Sequence, residues 1–318
     1  MARTPGRSCP RHYRYSPGVF ARAADLEARS LYIVGGLYGN PFALEAILAM
    51  ARQESATLVF NGDFNWFNVS AAEFENLNET VLQHAALRGN VETEIAGEDE
   101  GTGCGCAYPE WVGDAEVERS NEILRRLRGT ASAYPELRAR LAALPMHLVA
   151  EIGALRVGIV HGDAESLAGW RFSQEALRER PGRAQALLAA AGVDVFACTH
   201  TCLPVMQEFS TPRGAALVVN NGAAGMPNFR DTHFGLATRI ASAPSTQALY
   251  GTRLGKWVVE AVPVRYDHEA WVARFDRLWP ACSPASLSYR KRIASGPDYE
   301  MEQAVRTGAR AGAFSRAA

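Results

Sequence analysis

Five short apolar runs each break off at glycine or a polar side chain, and this limits the possible folds more than any other feature of the chain. Residues 31–34 run into Gly35-Gly36, 57–60 into Asn61-Gly62-Asp63, 156–160 into His161-Gly162-Asp163, 193–197 into Cys198-Thr199-His200, and 216–219 into Asn220-Asn221-Gly222. Runs this short read as buried strands entering loops. Helical signals fill the gaps. Asn40-Pro41 is an N-cap and first-turn pair ahead of Leu44, Ile47, Leu48 and Ala51. Ser70-Ala71-Ala72-Glu73 is a capping box ahead of Phe74, Leu77, Val81 and Ala85, with Gly89 as the stop. Strands alternating with helices argue for an α/β sheet.

The stretch 93–154 interrupts that rhythm. It holds the glycine-rich Cys104-Gly105-Cys106 loop, a helix from about Asp114 to Arg128, and a second short helix from Pro135 that ends before Pro145. It reads as a helical insertion over one end of the sheet. A late antiparallel strand at 256–264 pairs with 247–252 across Arg253-Leu254-Gly255. The resulting division is an N-terminal arm at 1–30, a central domain at 31–279, and a C-terminal extension at 280–318 draped on the surface.

With 318 residues, 47% of them hydrophobic, the chain can bury a sizeable core. A net charge of -1 gives no global field toward nucleic acid or a membrane. No apolar run approaches the roughly 20 residues of a spanning helix. The N-terminal arginines lack an apolar segment behind them, so they do not form a secretory signal. The six cysteines therefore read as reduced thiols or metal ligands, and the chain as cytoplasmic, with a small molecule as its substrate.

Chemistry gathers at the strand ends, the usual place for a site on an α/β sheet. Asp63, Asn90, His161 and His200 come from four such tips. One carboxylate, one amide oxygen and two imidazoles suit Zn, Fe or Mn. Taken singly, an Asp after a strand is usually a turn former and a strand-end His a structural residue. The four together point to one divalent transition metal. Phe64, Trp66 and Phe67 beside Asp63 either wall a pocket or pack beneath it.

These loops resemble the calcineurin-like metallophosphoesterase superfamily over roughly residues 31–225. The family pattern is Asp-x-His, Gly-Asp-x-x-Asp, Gly-Asn-His, His, and Gly-His-x-His. The resemblance implies a two-sheet sandwich flanked by helices and a two-metal site. It places the bridging carboxylate on Asp63, the amide ligand on Asn90, and the imidazole ligands of one ion on His161 and His200. The departures fall on the other ion. The family's first Asp and His fall on Gly36 and Tyr38, its final His on Cys202, its catalytic His on Val91, and the second Asp of its Gly-Asp pair on Trp66.

The pattern predicts half of a two-metal site, with about one ion per chain. Tyr38, Cys202 and Glu92 are the candidates for proton donation by proximity. The implied function is a divergent metal-dependent phosphoesterase using a single metal-activated water. Two alternatives are a non-catalytic ligand- or partner-binding derivative of the fold, and a metal-thiolate enzyme using Cys202. In an extended segment Cys202 shares a face with His200, so it is expected to alkylate faster than Cys282. Cys104-Gly105-Cys106 reads either as a flexible loop with exposed thiols or as an element folded over the site.

Overall fold

Alternation along the strands sorts the apolar side chains into layers. The computed structural model describes residues 4–98 and 101–312. One sheet has the spatial order β1 (Leu26–Glu27), β5 (His147–Ile152), β6 (Leu155–Val160), β7 (Val195–Cys198), β9 (Gly214–Asn220), β8 (Val205–Thr211). The other runs β13 (Arg310–Ala311), β11 (Tyr250–Leu254), β12 (Trp257–Val264), β10 (Gly235–Ala241), β2 (Leu31–Val34), β3 (Thr57–Asn61), β4 (Ala85–Leu87). Leu31 and Ile33 of β2 and Val59 of β3 face Val157, Ile159, Ala197 and Val219 of the opposite sheet. Tyr32, Val34 and Phe60 point the other way. They pack under α1 (Pro41–Glu54), α2 (Ala71–Val81), α4 (Asp114–Ala131) and α8 (His268–Leu278). The far face of the first sheet, with Phe196 and Val218, is covered by α7 (Pro181–Ala191). The result is a two-sheet sandwich between helical layers.

The strands that carry the site are parallel. β2, β3 and β4 pair in parallel in one sheet, and β6, β7 and β9 in the other. Their C-terminal ends therefore come to one edge of the sandwich. The predicted helix start at Asn40 is in place: its side chain accepts from the Phe42 and Ala43 amides at 3.0 and 3.1 Å.

Several boundaries differ from the sequence reading. α2 stops at Val81, and Ala85 belongs to β4 rather than to the helix's inner face. Gly89 caps α3 (Asn90–Ala96) instead of closing α2. The presumed insertion is shorter, because β5 lies inside it and turns back into β6 through Gly153 at φ +59°. Its helical part is α3, α4 and α5 (Pro135–Ala142). The turn between β11 and β12 is Gly255-Lys256, since Leu254 pairs with Trp257.

The two terminal segments are part of the fold. The N-terminal segment is pinned by fully buried Tyr13 and Phe20, and adds β1 to a sheet. The C-terminal segment forms α9 (Pro284–Ser295), whose Ala285 and Ile293 enter the main core. It is not a surface drape. α6 (Gln174–Glu179) and α10 (Met301–Ala304) complete the helices. No helix among the described residues is long and apolar enough to cross a membrane.

Candidate metal centre

Each predicted ligand is delivered by a local backbone device. Asp63 follows Gly62 in a left-handed turn, at φ +53° and +78° respectively. The approach of this turn to the next loop admits no side chain at either glycine. A Cβ on Gly62 would meet the Gly89 nitrogen at 2.5 Å, and one on Gly89 would meet Asp63 Oδ1 at 2.2 Å. Glu92 locks the two loops together: its carboxylate accepts from the Asp63, Gly89 and Asn65 amides at 2.7, 3.0 and 3.2 Å. The other two loops are joined by a single carbonyl, that of His161, which accepts from both Thr199 and His200.

These devices bring together Asp63, Asn90, His161 and His200. His161 Nε2 lies 3.3 Å from Asp63 Oδ2, 3.1 Å from Asn90 Oδ1 and 3.1 Å from His200 Nδ1. The outward side of each ligand decides what the inward side can be. His161 Nδ1 faces the Asn61 carbonyl at 3.0 Å, so it donates there. His200 Nε2 faces the Cys106 carbonyl at 2.9 Å and must donate as well. Asn90 Nδ2 donates to the Cys104 carbonyl at 2.9 Å, which turns Oδ1 inward. Asp63 Oδ1 accepts from the Val91 amide at 3.1 Å, leaving Oδ2 free. A neutral imidazole has one N–H. With both committed outward, four acceptor atoms face one another in a buried space. Such a set repels itself unless a cation lies among the lone pairs, so these residues fit a divalent metal.

The electrostatics agree. Burial alone would lower the His161 pKa, but the neighbouring Asp63 carboxylate overrides it and raises it. Burial would raise Asp63, and His161 pulls it down instead. His200 is pushed down to about 4 by burial and by the charge on His161.

The other half of the site is filled by protein. Gly36 sits at φ +45°, and a Cβ there would meet the Tyr38 ring at 2.6 Å. The Tyr38 hydroxyl lies 2.8 Å from Cys202 Sγ. Thus the two substituted positions touch each other, and the tyrosine ring takes the space beside the third. Cys202 reaches this place by a route other than the expected one. It is not in an extended segment: its amide bonds to the Thr199 carbonyl in a turn, with φ +60°. Burial pushes its thiol up, against the opposing pull of Arg292. Cys282 is exposed, so the expected order of reactivity reverses.

Of the candidate proton donors, Tyr38 and Cys202 line the cavity beside the ligands, which has a volume of about 340 Å³. Glu92 does not line it. Its carboxylate is buried under the loops it clamps and pushed up to about 7 by burial and by Asp63. Trp66 reaches the cavity wall, while Phe64 and Phe67 pack in the core. The Cys104-Gly105-Cys106 loop lies over the site with both thiols buried; its two carbonyls accept from Asn90 and His200, and the Cys106 sulfur lies 3.6 Å from Asn90 Nδ2. Gly105 is required there: at φ +67°, a Cβ would meet the buried Tyr13 hydroxyl at 2.4 Å.

The sequence reading missed Tyr108, Trp111 and Trp170 on the wall, and Tyr289 and Arg292 from α9. No local motif marks them. They arrive through the packing of α9 against α4 and through the indole N–H of Trp170, which bonds to the Cys106 carbonyl at 3.0 Å.

Two solved structures share this architecture. A metallophosphoesterase from Sphaerobacter thermophilus superposes with a TM-score of 0.54 at 17% identity, over 84% of this chain and 100% of its own. A hypothetical protein from Pyrococcus horikoshii OT3 gives 0.56 at 17% identity, over 86% and 99%. No family model and no curated protein matches the sequence. The chain has the metallophosphoesterase fold, a sandwich of two mixed sheets flanked by helices.

Proposed function

We propose that the chain is a metal-dependent hydrolase of phosphoric esters that works with one divalent ion, Zn, Fe or Mn, held by Asp63, Asn90, His161 and His200. The observation that carries this reading is the convergence of four acceptor atoms whose outward partners are already fixed. When bound, such an ion supplies Lewis acidity and lowers the pKa of coordinated water. The substrate class comes from the fold shared with the Sphaerobacter protein and from the cavity beside the ligands.

The chain's own groups supply the rest. In the hydrolysis, a water oxygen joins phosphorus, the ester P–O bond breaks, and the departing oxygen takes a proton. Burial raises Tyr38 well above an ordinary phenol and Cys202 above an ordinary thiol, so both stay protonated at neutral pH and face the cavity as donors. Asp63 is held ionised beside His161.

The test is metal analysis of protein purified without added metal, followed by a phosphomonoester and phosphodiester screen of the loaded protein and of His161→Ala. We expect about one ion per chain, and hydrolysis that disappears with the ion. A loaded protein that cleaves no phosphoester would reduce the site to ligand binding.

A further inference from the structure

The cavity beside the ligands has a charge polarity. Among its lining residues, Arg292 is the only arginine or lysine, and it stands on the altered side of the site. Its Nη2 donates to the Cys202 carbonyl at 2.7 Å and its Nε reaches the Pro227 carbonyl at 3.4 Å. Two carbonyls orient the guanidinium but do not neutralise it. Arg292 has no ion pair, and its Nη1 no partner, among the described residues. The lining also carries Glu116 and Glu175, neither in an ion pair among the described residues. Glu175, Trp111 and Trp170 are shared with the neighbouring cleft, whereas Tyr38, Asp63 and Arg292 are not. Of the two acids, Glu175 therefore stands toward that cleft, and Arg292 does not. Aromatic rings also form its wall: Trp111, itself 66% exposed, packs edge-on against Trp170 at 5.6 Å, and Trp170 packs edge-on against His200 at 5.5 Å.

We propose that Arg292 binds a phosphoryl oxygen of the substrate from the side opposite the metal ligands, and that the site takes esters with a single phosphoryl group on an aromatic or cationic remainder. This rests on the phosphoesterase reading above. A guanidinium fixed beside Cys202 places a permanent positive charge where the altered loops provide no metal ligands. It offers a free N–H to an anion, the kind of contact arginine makes well. The aromatic wall suits a planar or cationic group. The lining carboxylates Glu116 and Glu175 repel a second phosphoryl group, so di- and triphosphates are poor ligands.

The experiment uses the metal-loaded full chain and compares Arg292→Ala and Arg292→Lys with the parent. Inorganic phosphate binding is followed by calorimetry, and 4-nitrophenyl phosphate hydrolysis by steady-state kinetics. Metal content is the check that the variants are folded. Arg292→Ala should weaken phosphate binding and raise KM by about 10–100-fold, the range for a hydrogen bond to a charged group, with one ion still bound. Arg292→Lys should recover part of the loss. Unchanged phosphate affinity in Arg292→Ala, or no phosphate binding by the loaded parent, overturns the assignment. If the parent binds phosphate through Arg292 yet hydrolyses no ester, the anion site stands and the phosphoesterase reading falls. A second arm compares pyrophosphate with phosphate in Glu116→Gln/Glu175→Gln. Pyrophosphate should gain affinity relative to phosphate, and an unchanged ratio overturns the single-phosphoryl assignment.

Discussion

The two halves of the candidate site have been treated differently by the fold. In one half, four ligand atoms converge and each ligand's outward side is fixed by a backbone group. In the other, the Tyr38 ring fills the room beside Gly36 and its hydroxyl meets Cys202. Tyr38, Cys202 and Gly36 fit one another there. One half gathers acceptor atoms that fit a cation, and the other is occupied by side chains, with Arg292 next to it.

The largest effect that would sharpen this contrast is the removal of a ligand from the first half. His161→Ala and His200→Ala should each lose metal by more than the 10–100-fold typical of outer partners, measured by metal analysis after dialysis. Tyr38→Phe should keep its ion. Two ions bound at full occupancy in the parent would break the contrast outright, because the second half would then be a working site.

A smaller effect comes from reopening the filled half. Gly36→Asp alone should destabilise the protein by about 1–3 kcal/mol, since it combines overpacking with a positive φ. The reason is the 2.6 Å approach to Tyr38 at φ +45°, and thermal denaturation measures it. Adding Tyr38→His and Cys202→His removes the ring and supplies two imidazoles. That triple variant should bind a second ion. A stoichiometry that stays at one would show that the half-site is closed by more than these three side chains, with Arg292 the next residue to replace.

Asp63, Asn90 and His161 stood out in the sequence because each sits in a short loop beside glycine, and the loop's need for that glycine is local; His200 stands between threonines and showed only as a strand-end histidine. Gly62-Asp63 and Gly89-Asn90 are of this kind: the chain shows both the ligand and the reason for its turn. β2 and the start of α1 were readable for similar reasons, a short apolar run and an N-cap with proline. What escaped depends on partners far along the chain. β5 is fixed by pairing with β6, not by a strong pattern of its own. Arg292 lies in a polar segment that resembles a surface tail until Ala285 and Ile293 of the same helix are seen in the core. The loop of Cys104 and Cys106 drew attention for its sulfurs, yet its carbonyls hold Asn90 and His200, and only the Cys106 sulfur adds a contact, to Asn90 Nδ2 at 3.6 Å.

The metal half should also show itself through protons. In the metal-free protein the His161 pKa is raised. Its protonated form therefore stabilises the fold below the unfolded imidazole value of about 6.5, and that contribution is lost as pH rises through the folded value. His200, held down to about 4, has the opposite sign: stability falls as pH drops from about 6.5 toward that value. Glu92, raised to about 7, loses its stabilising protonated form as pH rises from the ordinary carboxylate range. These two run in opposite directions and offset each other over the range they share. Metal needs His161 unprotonated. Its affinity should rise about tenfold per pH unit up to the His161 pKa, with one proton released per ion. Titration calorimetry in buffers of different ionisation enthalpy counts that proton, and no release would mean that His161 is already neutral without metal.

The smallest effect separates Cys202 from the ligands. Its sulfur contacts Tyr38, and burial raises its pKa, whereas Cys282 is exposed. Alkylation followed by peptide mapping should therefore modify Cys282 first and Cys202 slowly. Cys104, Cys106 and Cys198, all buried, should react only on unfolding. Metal bound by Asp63, Asn90, His161 and His200 adds positive charge near the thiol but does not use it. The Cys202 rate in native protein should then change by no more than about tenfold on loading, the consequence of a one-unit pKa change. A ligand sulfur behaves otherwise, since its lone pair is taken by the ion and its reaction stops. Full protection of Cys202 by metal alone would move it into the coordination set and join the two halves into a single site.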